Sequence, residues 1–215
     1  MVNMTEEQNT REKILQAARQ EFIENGLRGA RMQEIADRAG INKALLHYHF
    51  RDKENLYDAA LQSVLLLPER LLEIFSEDAP KGLELEMAVR RLVDMLIGTL
   101  QENPDLVGMV LRELADGGTC LDVLLNNADQ LFQKAFVQVS SCYRNAMENG
   151  TAQTFSLPHM MISVMSMAWG TFILRPIYGR VLKEMGLESV LQGDFYADRS
   201  QKIADLVLAG ILKKG

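Results

Sequence analysis

The sequence predicts an all-α protein with a small N-terminal three-helix domain and a larger helical C-terminal domain. Nearly every segment spaces its apolar residues at helical intervals, and no run alternates apolar and polar residues as a half-buried strand does. The chain has 215 residues, of which 47% are hydrophobic and 24% are charged. This composition is typical of a globular protein that buries a sizeable core.

The first two predicted helices end at glycines. In the first helix Ile14, Ala18 and Phe22 recur at intervals of four, which places them on one face. Gly26 follows as a C-terminal stop, and Gly40 ends the short second helix in the same way. Both positions therefore mark predicted helix boundaries.

The third and fourth predicted helices each begin at a capping residue. Asn42 is a good N-cap for a helix that runs to about Phe50, and Asp52 caps a helix that begins near Lys53. Pro68 is expected to kink or break this fourth helix. A tight turn separates the second helix from the third, which is helix-turn-helix geometry, although a generic three-helix bundle has the same spacing.

The rest of the chain is also predicted to be helical. Ser156 is expected to cap one helix that has Pro158 in its first turn, and Pro176 is expected to interrupt that segment. Further helices are predicted at residues 83–101, 104–116, 120–148 and 198–213.

Positive charge concentrates in the predicted helix-turn-helix segment. The whole chain has a formal net charge of −6, which argues against a nonspecific nucleic-acid coat. Within residues 26–53 basic side chains nevertheless outnumber acidic ones. The basic residues there are Arg28, Arg31, Arg38, Lys43, Arg51 and Lys53, and the acidic residues are Glu34, Asp37 and Asp52. This pattern indicates a small phosphate-contacting unit on an acidic body.

Core packing alone does not explain the aromatic content of the third predicted helix. Leu46 and Phe50 lie four residues apart and are expected to form one buried stripe with Ile35 and Ile41. Adjacent helical residues lie about 100° apart, so the others must point elsewhere. The residues left lateral or outward are Lys43, Ala44, Leu45, His47, Tyr48 and His49. Lysine, tyrosine and imidazole groups donate to phosphate oxygens, and a small alanine lets a helix approach base edges.

The stretches "ILQAARQEFIENG" and "MQEIADRAGINKALLHYHFRDKENLY" resemble the N-terminal DNA-binding domain of TetR-family transcriptional repressors. The similarity covers roughly residues 10–57. It implies a homodimer that binds a palindromic double-stranded operator and releases it when a small molecule of unknown identity enters the C-terminal domain. It also implies a DNA-binding domain at residues 1–56 and an effector-binding and dimerisation domain at 57–215. Lys53 falls on the family's phosphate-contacting lysine.

Three residues depart from the family's usual pattern. Arg31 stands after Ala30 where a hydroxyl residue is common, so charge replaces a hydroxyl contact. His47 replaces a common tyrosine, and Leu45 replaces a small or polar residue, where it contacts a thymine methyl group or simply packs. The predicted DNA-contacting residues are Arg31, Asn42, Lys43, Ala44, Leu45, His47, Tyr48, His49 and Lys53.

Two C-terminal segments are candidates for effector binding. "HMMISVMSMAWGTF" is rich in methionine, which adapts to irregular cavities, although core or dimer-interface packing is the alternative. "LVGMVLRELADGG" places two opposite charges in an apolar helix, where a salt bridge is the alternative to a ligand contact. The predicted effector-binding residues are Met109, Arg112, Glu113, Met161, Met165, Trp169 and Phe172.

The sequence contains no motif for metal binding or catalysis. HExxH, GxSxG and Gly-rich phosphate loops are all absent, and Cys120 and Cys142 lie far apart without metal-ligand spacing. We therefore expect no metal, no cofactor and no enzyme activity. An enzyme on a helical bundle and an interaction module that has lost DNA binding are the alternatives.

The N-terminal residues lack an apolar signal segment, and no run approaches eighteen consecutive apolar residues. We therefore expect a cytoplasmic protein without a membrane partner.

Overall fold

The computed structural model describes residues 4–65, 84–118 and 136–213, and these residues are almost entirely helical. The predicted all-α class is confirmed, since the described residues contain no strand beyond an isolated bridge between Ala152 and Leu212. The helices are α1 (Met4–Gly29), α2 (Met32–Ala39), α3 (Lys43–Phe50), α4 (Lys53–Leu65), α5 (Leu85–Glu102), α6 (Pro104–Ala115), α7 (136–148), α8 (Leu157–Ile173), α9 (Arg175–Glu184) and α10 (Phe195–Ile211), with a 3₁₀ turn at Glu188–Leu191.

Gly26 ends the first helical segment of α1, as predicted, and a short second segment follows it to Gly29. Its φ of 65° and ψ of 175° lie outside the helical region. Glycine adopts this conformation without the strain that a side chain would add. A Cβ atom at this position would also lie within 2.8 Å of Arg112 Nε and closer still to the Asp116 carboxylate. Glycine is therefore favoured here by its conformation, whereas the nearby atoms belong to the ends of the long Arg112 and Asp116 side chains.

One compact unit contains α1–α4 together with α6. Its core includes the fully buried side chains of Phe22, Leu46 and Leu56. Helix α6 packs closely on α1, because a Cβ atom on Gly108 would lie 3.1 Å from Ile23 Cδ1. The sequence alone divides the chain at residues 56 and 57, and that functional division stays a prediction.

The second compact unit contains α5 and α7–α10. Helices α5 and α10 are joined by a hydrogen bond from the Ser200 hydroxyl to the Asp94 carboxylate. An ion pair of 2.9 Å from Arg90 Nη2 to Asp205 Oδ1 joins the same two helices. A backbone hydrogen bond from Gln153 to Ile211 fixes the segment that precedes α8.

Several predicted boundaries differ in detail. Ser156 occupies the N-cap position of α8, but its side chain makes no capping hydrogen bond, so the expected hydroxyl cap is wrong. The break expected at Pro176 falls at Leu174, where α8 and α9 meet at a bend of 65°. Helix α10 starts at Phe195, before the predicted residue 198. Pro68, Cys120 and the first part of the predicted 120–148 helix lie outside the described residues.

No single helix among the described residues is long and apolar enough to cross a membrane, and the bent pair of α8 and α9 meets that criterion together by length and composition only.

Candidate nucleic-acid interface

The turn between α2 and α3 is built on Gly40. Its φ of 68° is in the left-handed region, where glycine carries no side-chain penalty. The Gly40 N–H donates to the Asp37 carbonyl at 3.2 Å, and the Ile41 N–H donates to the Ala36 carbonyl at 3.0 Å. These bonds satisfy the last carbonyls of α2 and turn the chain into α3.

Asn42 begins α3 as predicted. Its extended backbone places the side-chain Oδ1 2.8 Å from the Leu45 N–H, which satisfies one of the unpaired donors of the first turn. The register of α3 is thereby fixed at its first residue. Leu46 and Phe50 then turn inward and are buried, whereas Ile41 is only half-buried.

The outer face of α3 carries the predicted DNA-contacting side chains. Lys43, Ala44 and His47 are exposed, and Tyr48 is 76% exposed. Leu45 is half-buried and so both packs and presents an apolar edge. Most of the Tyr48 ring is open to solvent and is therefore available to a partner.

His49 lies beside this face and is half-buried between two rings. Its ring centroid is 5.5 Å from that of Tyr48 and 6.2 Å from that of Phe50. The edge-to-face arrangement with Tyr48 restrains both side chains. The two imidazoles of α3 therefore have different surroundings.

His47 bonds to the chain that leaves α3. Its Nδ1 lies 2.7 Å from the Arg51 carbonyl oxygen. Because a carbonyl only accepts, Nδ1 carries the proton and Nε2 points away from this contact. The turn that follows α3 therefore fixes the orientation of the exposed His47 imidazole.

Arg51 is the central residue of a strained γ-turn. Its φ of 56° and ψ of −67° are close to the values for that turn, and the Asp52 N–H lies 2.5 Å from the Phe50 carbonyl oxygen. Backbone in such a region costs on the order of 1–3 kcal/mol and persists where its surroundings fix it. Asp52 then caps α4 as predicted, since its Oδ1 accepts from the Asn55 N–H at 2.8 Å.

Lys53 connects α4 to the junction of α1 and α2. Its Nζ donates to the carbonyl oxygens of Arg28 and Ala30, each at 3.2 Å. An ammonium has three N–H groups, so these two bonds leave one for a phosphate oxygen. Lys53 thus has a positioning role that the sequence did not indicate, and its phosphate contact stays a prediction.

Glu21 is a structural residue beside this site that sequence analysis missed. It is 2% exposed, and its Oε1 accepts from the Arg31 N–H at 3.3 Å and from Asn25 Nδ2 at 2.9 Å. Arg31 has no side-chain cap bond, so this carboxylate supports the start of α2 in place of the missing hydroxyl. The available signal was a glutamate on the apolar face of α1, three and seven residues after Ala18 and Ile14.

Arg38 is committed to carboxylates of α1. It pairs with Glu24 and lies 3.3 Å from Glu21 Oε2, and its hydrogen bond to Glu24 raises the pKa of Arg38 and lowers that of Glu24. This basic residue therefore holds α2 against α1. Within residues 26–53, the exposed basic residues that form no ion pair with the described part of the chain are Arg28, Arg31, Lys43 and Arg51.

Three predicted effector residues lie on α6, in the same compact unit as the helix-turn-helix. Met109 is 1% exposed, and the 2% exposed Glu113 accepts a hydrogen bond of 2.7 Å from the Tyr57 hydroxyl. Arg112 pairs with Asp116 at 3.1 Å, which is the alternative that the sequence left open. Their role towards an effector stays a prediction.

The other four predicted effector residues lie on α8, in the second compact unit. Met161, Met165 and Trp169 are half-buried, so the only tryptophan is less enclosed than its apolar sequence context indicated. Phe172 stacks on Tyr196 of α10, with ring centroids 5.0 Å apart and planes within 3°. These side chains line one helix, and a common ligand stays a prediction.

The three-helix unit, its glycine turn and the exposed face of α3 define a helix-turn-helix module of the DNA-binding class. Residues 14–60 match the family model described as bacterial regulatory proteins, tetR family. These residues carry the TetR-family DNA-binding domain that the N-terminal motifs predicted.

Two relatives match over half of this chain or less. The HTH-type transcriptional regulator RutR of Escherichia coli is 31% identical over 109 residues, which are 50% of this chain and 49% of RutR. The HTH-type transcriptional activator FasR of Mycolicibacterium smegmatis is 48% identical over 52 residues, which are 24% of each chain. The chain therefore spans about half the length, or less, of these relatives.

A solved structure extends the likeness in fold to the whole chain. The ketosteroid transcriptional regulator KstR2 of Mycobacterium tuberculosis aligns with a TM-score of 0.66 over 100% of this chain and 98% of its own. The two are 20% identical in sequence, so the likeness concerns the fold alone.

Proposed function

We propose that the protein is a transcriptional regulator that binds a palindromic DNA operator through α3. The observation that carries this proposal is the exposed face of α3, where Lys43, Ala44, His47 and Tyr48 project from a helix fixed by Asn42 at its start. A helix presented in this way fits the major groove, which admits one α-helix.

The proposed contacts divide into base readout and phosphate binding. Lys43, Ala44, Leu45 and His47 face the bases or the groove edge, and Asn42 stands at the N-terminal end that approaches them. Tyr48 and His49 donate to phosphates. Arg31 and Lys53 add positive charge at the starts of α2 and α4, where unpaired backbone N–H groups also favour an anion.

A homodimer is the proposed assembly. A short helix reads only a few base pairs, so a specific operator requires two copies of α3 about 34–36 Å apart. Helices α8 and α10 leave Ile162 and Leu206 exposed by 62% and 63%. Such apolar side chains on neighbouring helices suit a second copy better than water.

Release by a small molecule and repression are the finer parts of the proposal. The methionine-rich α8 supports a ligand site, with Met161, Met165, Trp169 and Phe172 as contacts, and α6 adds Met109, Arg112 and Glu113. FasR is described as an activator, so the direction of regulation is a separate question for experiment. We expect a cytoplasmic location, because the proposed operator lies on chromosomal DNA.

The test is a gel shift on the DNA that flanks the protein's own gene, with a variant and a matched control. Lys43→Ala should weaken binding at least tenfold, because it removes an exposed charge from α3. Lys202→Ala removes an exposed lysine from α10 and should leave binding unchanged. Retained binding by Lys43→Ala, or no shifted complex with the wild-type chain, would contradict the proposal and favour an interaction module.

A further inference from the structure

A cavity of about 460 Å³ lies within the second compact unit, among α8, α9, the 3₁₀ turn and α10. Most of its wall is apolar. The apolar and aromatic lining residues are Met167, Leu174, Leu182, Leu191, Tyr178 and Phe195. Its volume is in the usual range for small-molecule sites, and none of the residues predicted from sequence as effector contacts lines it.

One positive charge faces this apolar wall. Arg199 lines the cavity and is half-buried, and its Nε donates to Thr171 Oγ1 at 3.1 Å. The Thr171 hydroxyl in turn donates to the Met167 carbonyl at 2.8 Å, which fixes it as an acceptor for Arg199. The Arg199 guanidinium is therefore fixed at the cavity through its Nε, and its terminal N–H groups remain available to a ligand.

Arg199 has no carboxylate partner within the part of the chain that the structure describes. The nearby Tyr178 hydroxyl donates to the Thr171 carbonyl at 2.6 Å, and burial raises the pKa of Tyr178, so this phenol stays neutral. A half-buried cation beside apolar side chains is more stable when an anion completes its hydrogen bonds.

We propose that this cavity binds a small apolar monocarboxylate. The ligand's carboxylate pairs with the terminal N–H groups of Arg199, and its hydrocarbon body lies against Met167, Leu182 and Phe195. A single guanidinium matches a single carboxylate in a two-pronged hydrogen-bonded pair. Binding at this cavity does not depend on the proposed DNA binding, since α3 belongs to the other compact unit.

The charge requirement is tested by calorimetry with three probes of equal chain length. Octanoate should bind to the full-length protein, octan-1-ol should bind at least tenfold more weakly, and octylamine should give no measurable heat. Arg199→Gln should lower octanoate affinity at least tenfold and leave octan-1-ol unchanged. Arg180→Gln is the matched control, because Arg180 is an exposed arginine of α9 that does not line the cavity, and it should bind octanoate normally.

The position of the site is tested by filling the cavity. Gly170 lines it, and a Cβ atom there would meet nothing within 4 Å, so Gly170→Leu places a side chain in the open volume. This variant keeps Arg199 and should lose both octanoate and octan-1-ol without a lower melting temperature, since leucine is favoured over glycine in a helix.

Three results would overturn the proposal. The first is that the wild-type chain does not bind octanoate. If a second copy fills the cavity instead, Gly170→Leu should also change the oligomeric mass of the protein. The second is equal octanoate binding by Arg199→Gln. The third is unchanged octanoate binding by a folded Gly170→Leu protein, which would place the ligand elsewhere.

Discussion

The helix-turn-helix region and the α8–α10 region differ in how side chains support the starts of their helices. Around α3, Asn42 caps the helix, Glu21 supports α2, and Lys53 is bound to two carbonyls. Around α8 and α10, Ser156 makes no cap bond and Arg199 lacks a carboxylate partner among the described residues.

The two regions also differ in the apolar side chains that they expose. On α3 the exposed large apolar ring is that of Tyr48, which also carries a hydrogen-bonding hydroxyl. In the second unit Ile162, Ile177 and Leu206 are all more than 60% exposed. This difference agrees with the proposed roles, in which the first region presents a fixed surface to DNA and the second is completed by a ligand or a second copy.

The largest expected effect separates the two regions by burial. Phe22→Ala should lower the free energy of unfolding by about 3–5 kcal/mol, because Phe22 is 1% exposed in the first unit. Ile177→Ala in the second unit should change it by less than about 0.5 kcal/mol, because that side chain is 63% exposed. Urea denaturation measures both, and equal losses would contradict the contrast.

A second prediction concerns the buried link between α4 and α6. Tyr57→Phe removes the hydroxyl that donates to the Glu113 carboxylate at 2.7 Å. A hydrogen bond to a buried charged group contributes about 1.5–3 kcal/mol, so the free energy of unfolding should fall by that amount. Tyr143→Phe is the control, since its hydroxyl bonds to exposed backbone of residues 153 and 155, and it should cost less. A larger loss in the control would reverse the ranking of the two units.

The third prediction compares two N-cap positions. Asn42→Ala should cost about 1 kcal/mol, because it removes the acceptor of the Leu45 N–H. Ser156→Ala occupies the equivalent position of α8, where no side-chain bond exists, and should cost less than about 0.5 kcal/mol. Thermal unfolding of the two variants gives the difference, and a costlier Ser156→Ala would show that α8 depends on a cap after all.

The smallest expected effects distinguish proposed phosphate contacts from proposed base contacts. Lys53→Ala should weaken binding to all DNA sequences alike and reduce the slope of log affinity against log salt by about one per subunit. Leu45→Ala should instead change preference at one base position, because its half-buried side chain presents an apolar edge. Fluorescence anisotropy across salt and across operator variants distinguishes them. Equal effects of both changes on every operator variant would contradict the division of roles.

Local signals made much of the helix-turn-helix predictable. Gly40, Asn42 and Asp52 each act on backbone within four residues, so their sequence positions sufficed to place the turn and two helix starts. The inward side of α3 followed from Leu46 and Phe50 at a spacing of four. Ser156 shows the limit of such signals, because a suitable residue at a helix start does not compel the bond.

Tertiary contacts were not predictable in this way. Lys53 reaches carbonyls 23 and 25 residues away, and Glu21 meets an N–H ten residues away, so neither role is visible in a local pattern. The side chains that crowd Gly26 belong to Arg112 and Asp116, far along the chain, so this crowding is not visible in the local sequence. The cavity at Arg199 likewise requires four elements to come together, none of which identifies it alone.

The central claim is that α3 reads DNA as part of a two-fold assembly, and footprinting of the wild-type protein on its own flanking DNA tests it most directly. We expect protection of two half-sites with two-fold symmetry, with centres about 34–36 Å apart along the DNA helix axis. Lys43→Ala should remove protection from both half-sites together. A footprint over one half-site, or protection that persists unchanged in Lys43→Ala, would contradict DNA reading by a pair of α3 helices.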